Sequence, residues 1–312
     1  MDIRQLEAFK LIVQTGTFMK AARKLGLTQS ALSHQVRTLE AELGEQLLVR
    51  ARPRTYPTTA GQRLLLFADR ILDEVGELKA QFANTKGGSS IGTLRVAATN
   101  LAITYIFGDL LEKFAASHPE VDLIFHATEN TEMPIQRVAQ RESDIGFTAF
   151  PVEHPKLEAF HLVRMEQVFI VSPKHPLARQ KLTTLEELRR WPFTRFELGT
   201  GGRQVSDALF VGNGGYPSIL AESNDVEYLK RVVRIGTAVA LVPVVCVHSE
   251  LKNGSIVALR LKSGQVLQDG GFVRSADVST RALQVFESVC RAQRGSKPKV
   301  VTLENAGGPI FV

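Results

Sequence analysis

Between Phe18 and Gly44 the chain carries two short helical patterns joined at Gly26, and this pairing restricts the N-terminal fold more than any other feature. FMKAARKL puts Phe18, Ala21, Ala22 and Leu25 on one face, with two alanines small enough for another helix to approach closely. Gly26 supplies the turn, and Thr28 can cap the next helix through its side-chain oxygen. In LTQSALSHQVRTLEAEL the apolar residues Leu32, Val36, Leu39 and Leu43 recur at steps of four, three and four, and Gly44 ends the pattern. A preceding helix from Ile3 or Arg4 to about Gln14 buries Leu6, Phe9, Ile12 and Val13, and Gly16 stops it. Two short helices across a tight glycine turn make a helix-turn-helix, whose second helix can enter a major groove.

The outer face of that second helix is unusual. It carries Gln29, Ser30, Ser33, His34 and Arg37, with no acid before Glu40. Soluble helices usually cover such a face with Glu and Lys, the better helix formers. Basic residues gather around it: Lys20, Arg23 and Lys24 on one side, Arg50, Arg52 and Arg54 on the other. The overall charge of +6 is modest, so the clustering matters more than the sum. Acid-free basic groups flanking a short polar face point to a polyanion. Gln can pair bidentately with adenine, Arg with guanine, and Ser with either. His34 and Arg37 fit base or phosphate contacts equally, while Lys20, Arg23 and Lys24 fit phosphate contacts or ordinary surface charge.

LLVRARPRTYPTT, from Leu47 to Thr59, reads as a small hairpin whose arginines reach phosphates or a minor groove. Thr59 then opens a helix, with Gln62 as its capping partner. Leu64, Ala68, Ile71, Val75, Leu78 and Phe82 form a heptad seam, which needs either a second copy of the helix or its own domain to pack on. NTKGGSS, from Asn84 to Ser90, reads as a linker. The expected domains are therefore 1–58, a helix and hinge over 59–90, and 91–312.

Beyond the linker the pattern alternates strand and helix. TLRVAAT, VDLIFHAT and DIGFTAF are strands separated by the helices FGDLLEKFAASH and MPIQRVAQ. A second such unit starts near VFIVSP at Val168 and runs through PSILAES, DVEYLKRVVR and TAVALVP. A last helix near Ser279 to Ala292 returns to the first unit. This order predicts parallel strands with helices on both faces, in two lobes: one of about 91–162 with 267–296, the other of about 163–266. The tail after Arg294 mixes Gly, Pro and Lys and carries no clear element.

Several classes are excluded or lack support. No apolar run reaches the roughly 18 residues that span a bilayer, and MDIRQLEAFK lacks the apolar core of a signal peptide, so a cytoplasmic product without membrane partners is expected. The scattered histidines predict no metal site, no cofactor motif stands out, and Cys246 and Cys290 read as buried thiols. No GxSxG, HExxH or intact Walker loop supports an enzyme.

LEAF at Leu6–Phe9, the run from Thr15 to Arg50, and TTAG at Thr58–Gly61 resemble the LysR-type transcriptional regulators. HPEVDL, SDIGF, VSPKHPLA and NDVEYLKRVVRIGTAVALVP are similar to the effector half of that family. Three positions depart from the family pattern: Met19 for a small hydroxyl residue, Leu48 for Phe, and Pro57 for an apolar Leu in the wing. The resemblance implies a winged helix-turn-helix, a dimerising linker helix and a two-lobed α/β domain like a periplasmic binding protein. It also implies dimers or tetramers on promoter DNA, responding to a small molecule between the lobes, with RNA polymerase as a further partner. Most weight for base contacts falls on Gln29 and Ser33. Ligands of open α/β units sit beyond the carboxyl ends of the strands, often at helix N-termini. Thr99 and Asn100, Thr128, Thr148 and the Thr200, Gly201 and Arg203 loop are then the expected cleft residues, with Arg203 suggesting an anionic effector.

Overall fold

The computed structural model describes residues 1–51, 53–82, 92–295, 297–306 and 310. The chain forms two compact units, Met1–Gly92 and Thr93–Val312. Arg52 and the expected linker at Asn84–Ser90 lie outside the described residues, as do the side chains of Arg50 and Phe82.

The first unit runs α1 (Ile3–Thr15), α2 (Phe18–Leu25), α3 (Gln29–Leu43), β1 (Leu48–Arg50), β2 (Thr55–Pro57) and α4 (Thr59–Phe82). The Asp2 and Gln5 side chains cap α1 reciprocally, and the hydroxyls of Thr17 and Thr28 cap α2 and α3. Gly26 adopts a left-handed φ of 66°, which lets the Leu27 N–H donate to the Ala22 carbonyl at 2.9 Å and folds α3 back on α2. Phe9, Ile12, Ala21, Leu32 and Leu39 form the core between the three helices, and Leu47 and Leu48 bring the hairpin onto it.

Pro57 pairs opposite Leu48, and beyond it the Thr58 N–H still donates to the Leu47 carbonyl at 2.9 Å, so the missing N–H falls at a position that the pairing does not use and the wing keeps its register. The cap of α4 differs from expectation. Thr58, not Thr59, accepts the Gly61 N–H at 3.0 Å and donates to the Gln46 carbonyl at 2.6 Å. The seam on α4 is also divided. Leu64 packs on the unit's core, Ala68 is buried, and Lys10 pairs with Asp69 at 2.7 Å to tie α1 to α4. Leu78 is 56% exposed farther along the same helix.

The second unit contains β3 (Gly92–Thr99), α5 (Gly108–Ser117), β4 (Val121–Thr128), α6 (Met133–Ala139), β5 (Ile145–Ala149) and β6 (Leu157–Val171). There follow β7 (Leu182–Thr183), α7 (Leu185–Leu188), β8 (Phe193–Arg195), α8 (Gly201–Phe210), β9 (Ile219–Glu222), α9 (Val226–Arg234) and β10 (Val239–Pro243). The chain closes with α10 (His248–Asn253), β11 (Val257–Leu261), β12 (Val266–Ser275), α11 (Arg281–Arg294) and β13 (Lys299–Val301). Along the sheet the order is β4-β3-β5-β12-β6-β10-β8-β9. The pairs β3 with β5, β8 with β9, and β8 with β10 are parallel, although β8 itself is not among the strands expected from the sequence.

The strands that join the lobes are antiparallel and differ from the sequence reading. β6 begins at Leu157, not near Val168, and pairs with β12 along its first part and with β10 at its end. Its charged residues Glu158, Arg164 and Glu166 interrupt the apolar pattern, which hides the strand. β12 contains Gly270–Gly271, a pair that suggests a loop, yet a bulge falls there. A Cβ on Gly271 would lie 2.2 Å from the Phe160 carbonyl oxygen, so only glycine lets these two backbones meet.

Candidate functional site

In the first unit, Gln29, Ser30, His34 and Arg37 are exposed on α3. Ser33 departs from the expected groove-facing position, because it is only 8% exposed. It borders the apolar stripe of Leu32 and Val36, and the Arg37 guanidinium folds back over it. Arg37 donates through Nη2 to Ser33 Oγ at 3.4 Å and through Nε to the Ser33 carbonyl at 3.3 Å. Ser33 thus orients an arginine. Ser30 Oγ lies 3.0 Å from the hydroxyl of the capping Thr28.

Lys20, Arg23 and Lys24 are all exposed; Arg23 and Lys24 close the last turn of α2, where cations also favour the helix dipole. On the hairpin, Arg50 ends β1 opposite Thr55, and Arg54 is exposed. The Thr55 N–H donates to the Gly16 carbonyl at 2.8 Å, which pins the wing to the end of α1. Glu40 is a residue the sequence reading passed over. Its Oε1 accepts the N–H groups of Leu47 and Leu48, at 2.9 and 3.2 Å, and so sets where the wing leaves α3. The glutamate facing a hairpin seven residues later gives no local pattern to read.

In the second unit a cavity of about 590 Å³ lies between the lobes. Six of the expected residues line it: Thr99, Asn100, Thr128, Thr148, Thr200 and Gly201. Thr99 Oγ1 accepts the Ala102 N–H at 3.3 Å and starts a π-helical turn, Ala102–Ile106. Thr148 donates to the Thr131 carbonyl and Thr128 to the Asn130 carbonyl, so both hydroxyls are held in place. Thr200 caps α8 by accepting the Arg203 N–H at 3.2 Å. This leaves Gly201 and Gly202, both lining the cavity, in the first turn of the helix, where N–H groups have no helical acceptor. A Cβ on Gly201 would stand 2.8 Å from both the Ala149 Cβ and Gln268 Nε2.

Arg203 is a correction. It does not line the cavity, because its guanidinium turns into its own lobe. Nε donates to Asp207 at 2.8 Å, Nη1 reaches the Phe196 carbonyl at 3.4 Å, and Nη1 lies 3.3 Å from Glu222. Burial, the largest single influence, would lower its pKa; the hydrogen bond and charge of Asp207 together with the charge of Glu222 outweigh it and raise the pKa. Among the described residues the cavity lining has no Lys, Arg or His, and it includes Glu129, Asp225, Glu227 and Asp269.

Two of those carboxylates are neutralised. Asp269 takes Arg164 Nη2 at 2.7 Å, and that hydrogen bond holds its carboxyl below the usual range. Glu227 accepts from the Tyr105 hydroxyl and from Lys230 Nζ at 2.5 Å. Burial and the Glu227 hydrogen bond push the Tyr105 phenol up to about 12. Lys230 is itself buried and also meets Glu250 at 2.7 Å and the Cys246 carbonyl at 2.8 Å. These residues escaped the sequence reading, although NDVEYLKRVV contains Asp225, Glu227 and Lys230.

The lobes touch across the cavity mouth. The Thr131 N–H and hydroxyl donate to the Gly199 carbonyl at 3.1 and 2.9 Å, and Gln268 Nε2 donates to the Gly201 carbonyl at 2.9 Å. Among the described residues no cluster of His, Cys, Asp and Glu could hold a metal ion. Both cysteines are buried, and burial pushes their thiols up, away from the reactive thiolate. Among the described residues no helix is long and apolar enough to cross a membrane.

The family model described as "Bacterial regulatory helix-turn-helix protein, lysR family" matches residues 3–62, and "LysR substrate binding domain" matches 87–295. The chain is 29% identical over 296 residues to the HTH-type transcriptional regulator CfxR of Cupriavidus necator, covering 94% of this chain and 90% of that one. It is 28% identical to the RuBisCO operon transcriptional regulator of Allochromatium vinosum, over 83% of this chain and 85% of the relative. Its fold is like that of full-length CbnR complexed with target DNA, with a TM-score of 0.67 at 24% identity over 94% of this chain and 99% of that one. A full-length OxyR variant from Pseudomonas aeruginosa aligns with a TM-score of 0.59 at 20% identity, over 93% and 100% of the two chains. With a helix-turn-helix in one unit and a cleft between two lobes in the other, the chain belongs to the LysR family of transcriptional regulators, proteins that bind DNA and a small-molecule effector.

Proposed function

We propose that Gln29, Ser30, His34 and Arg37 on α3 are the residues that read the operator, with Ser33 acting behind Arg37. Arg50 and Arg54 of the wing, with Arg52 between them in sequence, meet phosphates or the adjacent minor groove. The observation that carries this reading is the exposed α3 face, polar and cationic and without an acid before Glu40. On it Gln29 offers the bidentate amide suited to adenine and Arg37 the fork suited to guanine. A salt titration of binding to a selected operator separates the two roles. Arg54→Ala is expected to lower affinity on all duplexes and reduce the salt slope by about 0.9, whereas Gln29→Ala leaves the slope intact. Equal slopes and equal sequence preference in the two variants would overturn the division.

The effector is held by Thr99, Asn100, Thr128, Thr148, Thr200 and Gly201. Its anionic group would meet hydroxyls and the first-turn N–H groups of α8 rather than a side-chain cation, since Arg203 is committed elsewhere. The carboxylates on the lining favour a ligand with one such group over a polyanion. Residues 1–58 form the DNA-binding domain, 59–90 the helix and hinge, and 91–312 the effector domain. The exposed apolar residues Leu66, Phe67 and Leu78 of α4 support self-association into dimers and, through them, tetramers. Such an assembly would act in the cytoplasm, where RNA polymerase is its further partner at a promoter.

A further inference from the structure

The tail that carries no element signal in the sequence occupies the back of the crossover between the lobes. β13 pairs in parallel with β6, with Lys299 to Val301 opposite Val163 to Met165. On its other edge this part of β6 is already paired with β12, from Leu157 to Gln167. The tail therefore fills an edge that would otherwise stand open. It does so at the place where β6 passes from one lobe to the other.

The next residue along binds the tail to the second lobe. Glu166 is fully buried, and it accepts Arg260 Nη2 at 2.7 Å and the Leu303 N–H at 2.8 Å. Arg260, on β11, also donates through Nη2 to Glu304 at 2.8 Å. One arginine of the second lobe thus grips both the crossover strand and the tail beyond β13. The Asn305 side chain closes the turn by accepting the Thr302 N–H at 2.7 Å and donating to the Val300 carbonyl at 3.0 Å. Met165 lines the cavity, and alternation along a strand sends Glu166 to the opposite side. Glu166 and its ion pair thus lie on the face of β6 opposite the cavity, and the tail strand lies along the edge of β6.

We propose that residues 299–304 are a strap that stiffens this crossover and holds the two lobes in their arrangement about the cleft, so that its release loosens the cleft mouth from a distance. A change in lobe angle must alter backbone torsions in β6 and β12 where they cross. A third strand on β6, pinned by Arg260 to the second lobe, resists that change. The strap acts whatever the cavity binds, and it does not rest on the identity of the effector.

Hydrogen exchange on the full chain tests this without a ligand. Val300→Pro removes one N–H from β13 at a half-exposed position, and Arg260→Met removes the grip while leaving β13 able to pair. Both variants should speed exchange about threefold or more in peptides covering 127–133 and 196–204, where Thr131 meets Gly199 across the mouth. Peptides covering α5 and β10 should stay protected as in the parent, which shows that the fold is intact. Faster exchange confined to 157–171, 257–261 and 297–306 in both variants would overturn the proposal, because the tail would then protect only its own surroundings. Loss of protection throughout the unit in Val300→Pro, with an unchanged mouth in Arg260→Met, would also overturn it.

Discussion

The two sites of this chain are made of opposite materials. The α3 surface is convex, exposed and cationic, and its candidate residues fall within nine positions from Gln29 to Arg37. The cleft is concave and lined by held hydroxyls and carboxylates, without a Lys, Arg or His among the described residues, and its residues are drawn from Thr99 to Gly270. A surface for a polyanion is built by exposing long cations to a charge outside the molecule. A pocket for a small molecule is built by fixing short groups before the ligand arrives, which lowers the cost of ordering them. The difference explains why the arginine of the cleft loop does not line the cavity: in the second lobe the nearby carboxylates compete for it, and Asp207 and Glu222 hold it.

If the two units are as independent as their separate cores suggest, Phe9→Ala should produce the largest effect in one and none in the other. The side chain is fully buried, and its truncation is expected to cost about 3–5 kcal/mol in the first unit alone. Urea unfolding of the full chain should then show an early transition that moves while the later one stays. A common shift of both transitions would mean that the units stabilise each other.

Arg203→Ala sharpens the contrast within the second unit. It breaks the pair with Asp207 and the bond to the Phe196 carbonyl, so lobe II should lose about 1–3 kcal/mol of stability. A small molecule identified by thermal shift should still bind with unchanged affinity at a temperature where the variant is folded. Thr148→Val should do the reverse, leaving operator affinity without effector unchanged while weakening the effector about tenfold or more through its lost hydroxyl. If Arg203→Ala abolishes binding and Thr148→Val does not, the assignment of the cleft is inverted.

Acid separates the units more gently. The carboxyls of Asp269 and Asp207 are held below their ordinary value of 3.8, the first by the Arg164 hydrogen bond, the second by Tyr216 and Arg203 against the opposing effect of burial. A carboxylate with a lowered folded pKa contributes stability that is complete above its unfolded value and is lost as pH falls through the folded one. The second unit should therefore keep its melting temperature from pH 7 to about pH 5 and lose stability below about pH 4. A loss that begins near pH 6 would point to histidine and remove these pairs from the account.

Legibility in the sequence followed the same divide. The helices of the first unit were readable because Gly16, Gly26, Thr28 and Gly44 mark their ends within a few residues of the apolar stripes they bound. The burial of Ser33 was not readable because a helical face has a margin: a residue next to Leu32 can be covered by Arg37, and periodicity does not say how a long side chain folds back. In the second unit, the ends of β3, β4 and β5 located Thr99, Thr128 and Thr148 by a rule about where sheets bind ligands. Tyr105, Glu227, Gln268 and Asp269 could not be found that way. Tyr105 reaches the cleft through a π-helical turn, Glu227 from the first turn of α9, and the other two from β12, a strand whose double glycine disguises it. Glu166 and the tail met only because β6 runs through both lobes, a pairing that local pattern does not encode.

The central claim is that α3 reads sequence with the residues it exposes. It is tested most directly by selecting duplexes from a random pool with the full-length protein and with Gln29→Ala. The variant should keep the spacing of the half-sites and the salt slope but lose its base preference at one position in each half-site. An identical consensus from both proteins would contradict it.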